Sequence, residues 1–473
     1  MRRLLVPVLL AAAAMARAGA GPLGDDGVER LIGSQHLPPS SVSYLVTDVD
    51  TGRVILRHDA STPRSPGSVI KLVTTFAALD TLGPEFKWQT RALATAPLQR
   101  GVLRGDLYLQ GGGDPYMTLD RWWRFARALR DRGLRTIRGD IVIDDTAFEV
   151  GDADPAAFDG HPNRPYNVAP SALMINFQTV TFRVTPDPQA RQVAVSTDPT
   201  PVNLRVDNRL RLVRGRCAGR GDSLGFTVGG ALRRDHVVLS GTLAERCAPR
   251  EMIRALMQAP QFAYGTFAEL WRELGGRITG AMRIGATPAD ARTLLDFDSL
   301  SLAEIVRLTN KYSNNLMARD LLLTLGAQRF GAPATVAKGV DAITAWSRAR
   351  GLPLADTVLR NGSGLARATR ISAATLTAVL RAAYHDRFAP EFLVSLPLAG
   401  IDGTLRTRMK DTPPGAVRLK TGTLDGVSSV AGYVSTARGH TYVLVSFVND
   451  PRADAGAGEA VHQALVDWIL AHG

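Results

Sequence analysis

Apolar and polar residues alternate along "SVSYLVTDVD" and "RVILRH", from Ser41 to His58 around a Thr51-Gly52 turn, and this pattern predicts a β-hairpin. Ahead of it, "DDGVERLIGSQ" can form a short helix. After it the period changes. "SPGSVIKLVTTFAALDTLG", Ser65 to Gly83, reads as one amphipathic helix stopped by Gly83-Pro84. The far end is again β-rich, with "AVRLKTGT", "SSVAGYVST" and "TYVLVSFVND" separated by Leu424-Asp425-Gly426 and Ala437-Arg438-Gly439-His440. A helix, "AGEAVHQALVDWILAHG", closes the chain. Two early strands and three late ones predict one antiparallel five-stranded sheet flanked by helices, so the two ends of the chain belong to one domain.

Between them the pattern differs. Short β-like runs such as "DLYLQGGGDPYMT", "IRGDIVIDDTAF", "QVAVST", "RLRLVRG" and "HVVLSG" follow one another with Gly and Pro between them and no strict repeat. From about 297, "DSLSLAEIVRLTNKYSNNLMARDLLLTLG" returns to helical periodicity. The expected fold is α+β. A domain built from residues 25–84 and 290–473 is interrupted by a β-rich insertion, 85–289, of two subdomains.

The first twenty residues form a class apart. Arg2 and Arg3 precede an apolar run from Leu4 to about Ala14, and Ala16-Arg17-Ala18 and Ala18-Gly19-Ala20 both fit a small-x-small cleavage site. The run is shorter than the ~20 residues of a spanning helix, so export with removal of residues 1–20 is expected. Net charge is +12, and cleavage removes Arg2, Arg3 and Arg17, leaving near +9 (12 minus 3). Such a charge favours peripheral association with an anionic envelope surface or simply solubility, and both readings stay open. Export also makes nucleic acid a poor partner. In an oxidising compartment Cys217 and Cys247 are expected to pair. No C-x-x-C or H-E-x-x-H spacing points to a metal, and no cofactor is implied.

Lysine usage sharpens the chemistry. Of 56 lysines and arginines only six are lysine, at 71, 87, 311, 338, 410 and 420. Where a generic cation would serve, this chain uses arginine, which cannot give up its proton; a desolvated lysine can. Lys71 stands three residues after Ser68, on the same helix face. Ser68 at a helix start faces free N–H groups that favour a negative oxygen, and a neutral lysine can take its proton. A capping serine beside a solvated lysine fits this stretch equally well. Ser313 and Asn315 flank Asn314 at the start of another apolar helix, suiting a proton relay and an amide clamp; helix capping is the plainer reading. Lys420, Thr421, Gly422 and Thr423 lie on a strand, where Gly422 allows close backbone approach and the others could bind a carboxylate. An edge strand protected by a lysine would look the same.

The order of these elements says more than each alone. S-x-x-K at a helix start, S-x-N at a second helix and K-T-G on a strand resemble the set of active-site-serine penicillin-recognising enzymes. The 245 residues from Ser68 to Ser313 and 107 from Ser313 to Lys420 are similar to the class C low-molecular-mass penicillin-binding proteins, the D-alanyl-D-alanine carboxypeptidase/endopeptidase family. "GGGDP" at 111–115, "YNVAPSALMINFQ" at 166–178, "NGSGLARATRIS" at 361–372 and "LAGIDGTLRTRM" at 398–409 extend the likeness over the mature chain. Gly67 and Asn361 depart from the family's usual residues.

The resemblance implies a β-lactamase/transpeptidase-like domain that hydrolyses D-Ala-D-Ala in peptidoglycan stem peptides, with D-alanyl cross-links as a further substrate. It implies Ser68 as acylated nucleophile, Lys71 as base, Ser313 as proton relay and Lys420 as electrostatic partner. Asn315 would bind the substrate amide, and Thr421 and Thr423 the terminal carboxylate. The N–H groups of Ser68 and Thr423 would form the oxyanion hole, with β-lactams as covalent inhibitors. A serine β-lactamase would share the three elements but be shorter, and a non-catalytic wall-binding protein would keep a vestigial site. "GDSLG", Gly221 to Gly225, matches G-x-S-x-G, but the β-like "FTVGGALRR" follows where an α/β-hydrolase needs a helix.

Overall fold

The computed structural model describes residues 27–151, 154–215, 217, 223–229 and 233–473. The export signal expected over 1–20 lies outside them. The hairpin strands are β1 (Val42–Asp48) and β2 (Val54–His58); the late strands are β3 (Val417–Leu424), β4 (Val427–Ser435) and β5 (Thr441–Asn449). They form one antiparallel sheet in the order β3-β4-β5-β1-β2. The two chain ends therefore meet through β1 and β5, with Tyr44 opposite Ser446. β3, which carries Lys420, lies at the sheet edge.

Both faces of the sheet are covered. One packs on helices α1 (Gly27–Ser34) and the C-terminal helix Ala457–His472, through Val46, Leu419, Leu444 and Trp468. The other, through Ala431, Val445 and Phe447, buries α2 (Lys71–Leu82) and the helices α3 (Leu302–Tyr312) and α4 (Asn315–Phe330). α2 departs from the expected amphipathic helix: every residue from Lys71 to Leu79 is buried, because the sheet covers one side and other helices the rest. A lysine at its start is thus enclosed.

The segment between α2 and α3 builds a second apolar core. A mixed five-stranded sheet with two helices, Leu119–Asp131 and Ala259–Glu273, is joined by two three-stranded sheets from residues 179–255. Phe182 and Val237 of the small sheets share one cluster with Leu109 and Trp122 of the larger unit. The boundary expected at 289 needs correction. Arg292–Asp298 pairs antiparallel with Gln89–Ala94 and so belongs to the inserted sheet, which ends where Ser301 starts α3 with a capping box. Cys217 and Cys247 form a disulfide with Cα atoms 4.8 Å apart. Ser223 of "GDSLG" precedes a strand, Gly225–Gly229, and its hydroxyl donates to the Thr242 carbonyl, so no strand-to-helix elbow exists there. Among the described residues no helix is long and apolar enough to cross a membrane.

Candidate active site

Ser68 lies in a 3-10 turn, Gly67–Ile70, that runs directly into α2 and puts Lys71 one turn below it. Gly67 holds φ +50°, a conformation open to glycine, and its Cα side faces the Thr423 N at 3.3 Å from where a Cβ would stand. The family departure at Gly67 thus has a local cause.

Lys71 is fully buried. Its Nζ lies 2.8 Å from Ser68 Oγ, 2.7 Å from Asn315 Oδ1 and 2.5 Å from the Ser363 carbonyl oxygen. The carboxamide and carbonyl oxygens only accept, so two of these directions need N–H groups. The third, toward Ser68, is served by a third N–H or by a lone pair that accepts the hydroxyl proton. Either protonation state is therefore satisfied without rearrangement. Burial lowers the Lys71 pKa well below its usual value, with the positive charges of Lys420 and Arg319 adding to the effect.

Ser313 ends α3 in the left-handed region, φ 57°, strained backbone of the kind found at functional sites. Asn314 caps α4, its side chain accepting from the Met317 N–H. Capping thus falls to Asn314, which frees the residues on each side: Asn315 reaches Lys71 while the Ser313 hydroxyl lies 2.8 Å from Lys420 Nζ. Lys420 is also fully buried, donates to the Thr421 carbonyl at 2.6 Å, and is held down to about 7 by desolvation. Gly422 backs onto the Ser68 turn. A Cβ there would stand 2.7 Å from the Ser68 N and 2.6 Å from the Pro66 carbonyl oxygen. That contact brings the backbone of β3 against the Ser68 N–H. The Ser429 hydroxyl donates to the same Pro66 carbonyl at 2.6 Å and fixes the turn to β4.

The structure thus brings Ser68, Lys71 and Asn315 together, sets Ser313 against Lys420, and packs Gly422 on the Ser68 turn. Thr421 is not free as expected: its hydroxyl donates to Thr404 Oγ1 at 2.7 Å, so the two threonines form a pair, while Thr423 is exposed. Sequence reasoning gave no role to Thr404, Ser363, Lys311 or Arg319. Asn361 orders the turn that presents the Ser363 carbonyl, accepting from the Ser363 N–H at 3.1 Å and donating to the Leu365 carbonyl at 2.9 Å. An aspartate could make the first bond but not the second, which gives the departure at 361 a local reason. Lys311 pairs with Asp402 at 2.9 and 2.7 Å, and Asp402 accepts from the Leu398 N–H, tying the Thr404 loop to α3. Arg319, one turn along α4 from Asn315, is half-buried and donates to the Val168 carbonyl of the insertion. Ser363 and Thr404 lie in the stretches at 361–372 and 398–409, while Lys311 and Arg319 flank the S-x-N element.

This arrangement can activate a hydroxyl, hold a developing oxyanion and return a proton through a second lysine–serine pair. The profile of the D-Ala-D-Ala carboxypeptidase 3 (S13) family matches residues 26–471. The D-alanyl-D-alanine carboxypeptidase of Actinomadura sp. is 31% identical over 469 residues, covering 94% of this chain and 85% of that protein. The crystal structure of penicillin binding protein 4 (dacB) from Haemophilus influenzae superposes with a TM-score of 0.78 at 24% identity, covering 93% of this chain and 99% of that one. A second structure of the Haemophilus influenzae protein, complexed with a novel beta-lactam, gives 0.75 at 22% identity over 94% and 99%.

Proposed function

As a member of the D-Ala-D-Ala carboxypeptidase 3 (S13) family, the chain is a serine-type DD-peptidase, and we propose that Ser68 is the nucleophile through which it works. The substrate is the D-Ala-D-Ala end of peptidoglycan stem peptides, and β-lactams, which mimic that end, acylate the same serine. The observation that carries this reading is the 2.8 Å approach of a fully buried Lys71 Nζ to Ser68 Oγ.

In the first step neutral Lys71 takes the Ser68 proton as Oγ attacks the carbonyl carbon of the penultimate D-alanine. The oxyanion meets the N–H groups of Ser68 and Thr423, each such donor being worth about 3–4 kcal/mol in related chemistry. Asn315 keeps its Oδ1 on Lys71 and donates from its NH2 to the substrate amide carbonyl. The Thr421–Thr404 pair and Thr423 receive the terminal carboxylate. Collapse breaks the peptide bond, and the leaving amine takes a proton from Ser313, which Lys420 resupplies. Lys71 passes the proton taken from Ser68 to the now neutral Lys420 by way of Ser313, then deprotonates a water that attacks the acyl-Ser68 ester, and that proton returns to Ser68 Oγ as the acid leaves. Cross-links whose donor is D-alanine present the same bond, so endopeptidase action needs only room for a longer leaving group. No step calls for a metal or cofactor.

The enzyme acts outside the cytoplasm, where its polymer lies; a periplasmic place and a cleaved signal at 1–20 complete the proposal. Intact-mass spectrometry after mixing with a labelled penicillin tests it. One adduct is expected, mapping to the peptide with Ser68; an adduct elsewhere, or none, overturns the assignment.

A further inference from the structure

A second cavity, of about 660 Å³, lies between the inserted sheet and the C-terminal half of α4, away from Ser68. One wall carries Phe86 and Trp88, packed edge to face with ring centroids 5.0 Å apart, and Trp88 Nε1 donates to Thr324 of α4 at 2.8 Å. The other walls carry the amides of Gln89, Gln110 and Gln328; Gln89 is bonded to Asp298 and Arg91 and Gln110 Nε2 to Asp144, which leaves Gln110 Oε1 and the Gln328 amide open to a ligand. Their charges balance: Lys87 and Arg91 stand against Asp144 and Asp298. The side chains of Lys87 and Gln328 have no hydrogen-bond or ion-pair partner among the described residues. Both are exposed at the rim.

We propose that this cleft is a non-catalytic binding site for the glycan strand that carries the stem peptide. This rests on the peptidase reading above. The half-buried Phe86 ring, seated on the buried Trp88, and the open amide groups of Gln328 and Gln110 suit a neutral ligand rich in hydroxyl and acetamido groups, and the balanced charges give an anionic polymer no advantage. The volume falls in the range of about 300–1,000 Å³ that encloses a drug-sized ligand, which is the size of a disaccharide. Distance adds a second argument. Asn315 starts α4, and Thr324 and Gln328 lie nine and thirteen residues further along, about 13–20 Å at a rise of 1.5 Å per residue. A stem peptide of about four or five residues, extended at about 3.3–3.6 Å each, spans a comparable length. With its D-alanine end at Ser68, the sugar bearing its other end falls within reach of this cleft. One helix would then fix the spacing between the bond cut and the strand held.

The test uses the full chain and glycan strands stripped of peptide by an amidase. Wild type is expected to bind them, with Trp88 fluorescence as one readout. The combined Lys87→Ala, Gln89→Ala and Gln328→Ala variant should bind at least about tenfold more weakly. On a soluble D-Ala-D-Ala peptide the same variant should match wild type, while D-alanine release from intact sacculi falls. No binding of bare strands by wild type, or equal binding by the variant, overturns the proposal. Displacement by sugar-free stem peptide instead of glycan does so too. Failure of the peptidase reading would show separately, as no turnover of the soluble peptide by wild type.

Discussion

Lys420 Nζ and the Ser313 hydroxyl stand 2.8 Å apart across 107 residues of sequence, joining the edge strand to the helix junction. Ser313→Ala leaves Lys420 its bond to the Thr421 carbonyl but removes the hydroxyl proposed to relay a proton to the leaving group. Turnover of a D-Ala-D-Ala peptide should fall about 10²–10⁴-fold, the usual worth of a positioned acid or base. Steady-state kinetics with an unchanged melting temperature would check this; near wild-type kcat would remove Ser313 from the mechanism.

The two lysines should divide the pH profile between them. Lys71 must be neutral, and its lowered pKa makes that form accessible on the ascending limb. Lys420 must be an ammonium to resupply Ser313, and burial puts its titration at about 7. The acylation rate by a β-lactam should therefore fall as pH rises through about 7 and onward. A rate that keeps climbing to about pH 9 would show that Lys420 works without its proton. Lys71→Arg keeps a cation but no base, and should lose at least about 10³-fold in kcat/KM.

Much of this site was legible because its chemistry needs particular atoms at short sequence spacing. Ser68 and Lys71 are one helical turn apart, and Lys420 to Thr423 occupy one strand. The hairpin at 41–58 and the three late strands were legible from alternation, and pairing β1 with β5 closed the domain. What escaped has a different character. Ser363, Thr404, Arg319 and the Lys311–Asp402 pair act through tertiary contacts between segments tens to hundreds of residues apart. No periodicity encodes such contacts; only the resemblance pointed to their stretches. The boundary at 289 was misplaced because Arg292–Asp298 is strand-like by pairing with Gln89–Ala94, a partner two hundred residues earlier. The burial of α2 on all sides was hidden by its few polar residues, which suggested a wet face.

Gly422 should tolerate no side chain. A Cβ would stand 2.4 Å from Ser429 Oγ, 2.6 Å from the Pro66 carbonyl oxygen and 2.7 Å from the Ser68 N. Two of these are backbone atoms, which cannot swing aside. Gly422→Ala should push β3 from the serine turn, lower β-lactam acylation about 10²–10³-fold and cost about 1–3 kcal/mol of stability. A crystal structure of the variant with an unmoved β3 would contradict the packing argument.

Asp114 of "GGGDP" gives a prediction about stability. Its Oδ1 accepts from the Tyr116 N–H at 2.8 Å, while Oδ2, 3.7 Å from Arg121 Nη2, is buried without a hydrogen bond. Burial raises its pKa from 3.8 to about 6. Between those values the folded form holds more protons than the unfolded chain, so this group costs stability as pH rises through the window. Above about 6 the full cost remains. Asp114→Asn keeps the Oδ1 acceptor and cannot ionise. The variant should match wild type near pH 4 and exceed it at pH 8 by about 3 kcal/mol. Denaturant titrations at the two pH values decide it: an equal offset at both would mean that Asp114 is charged throughout, with Arg121 compensating it in full.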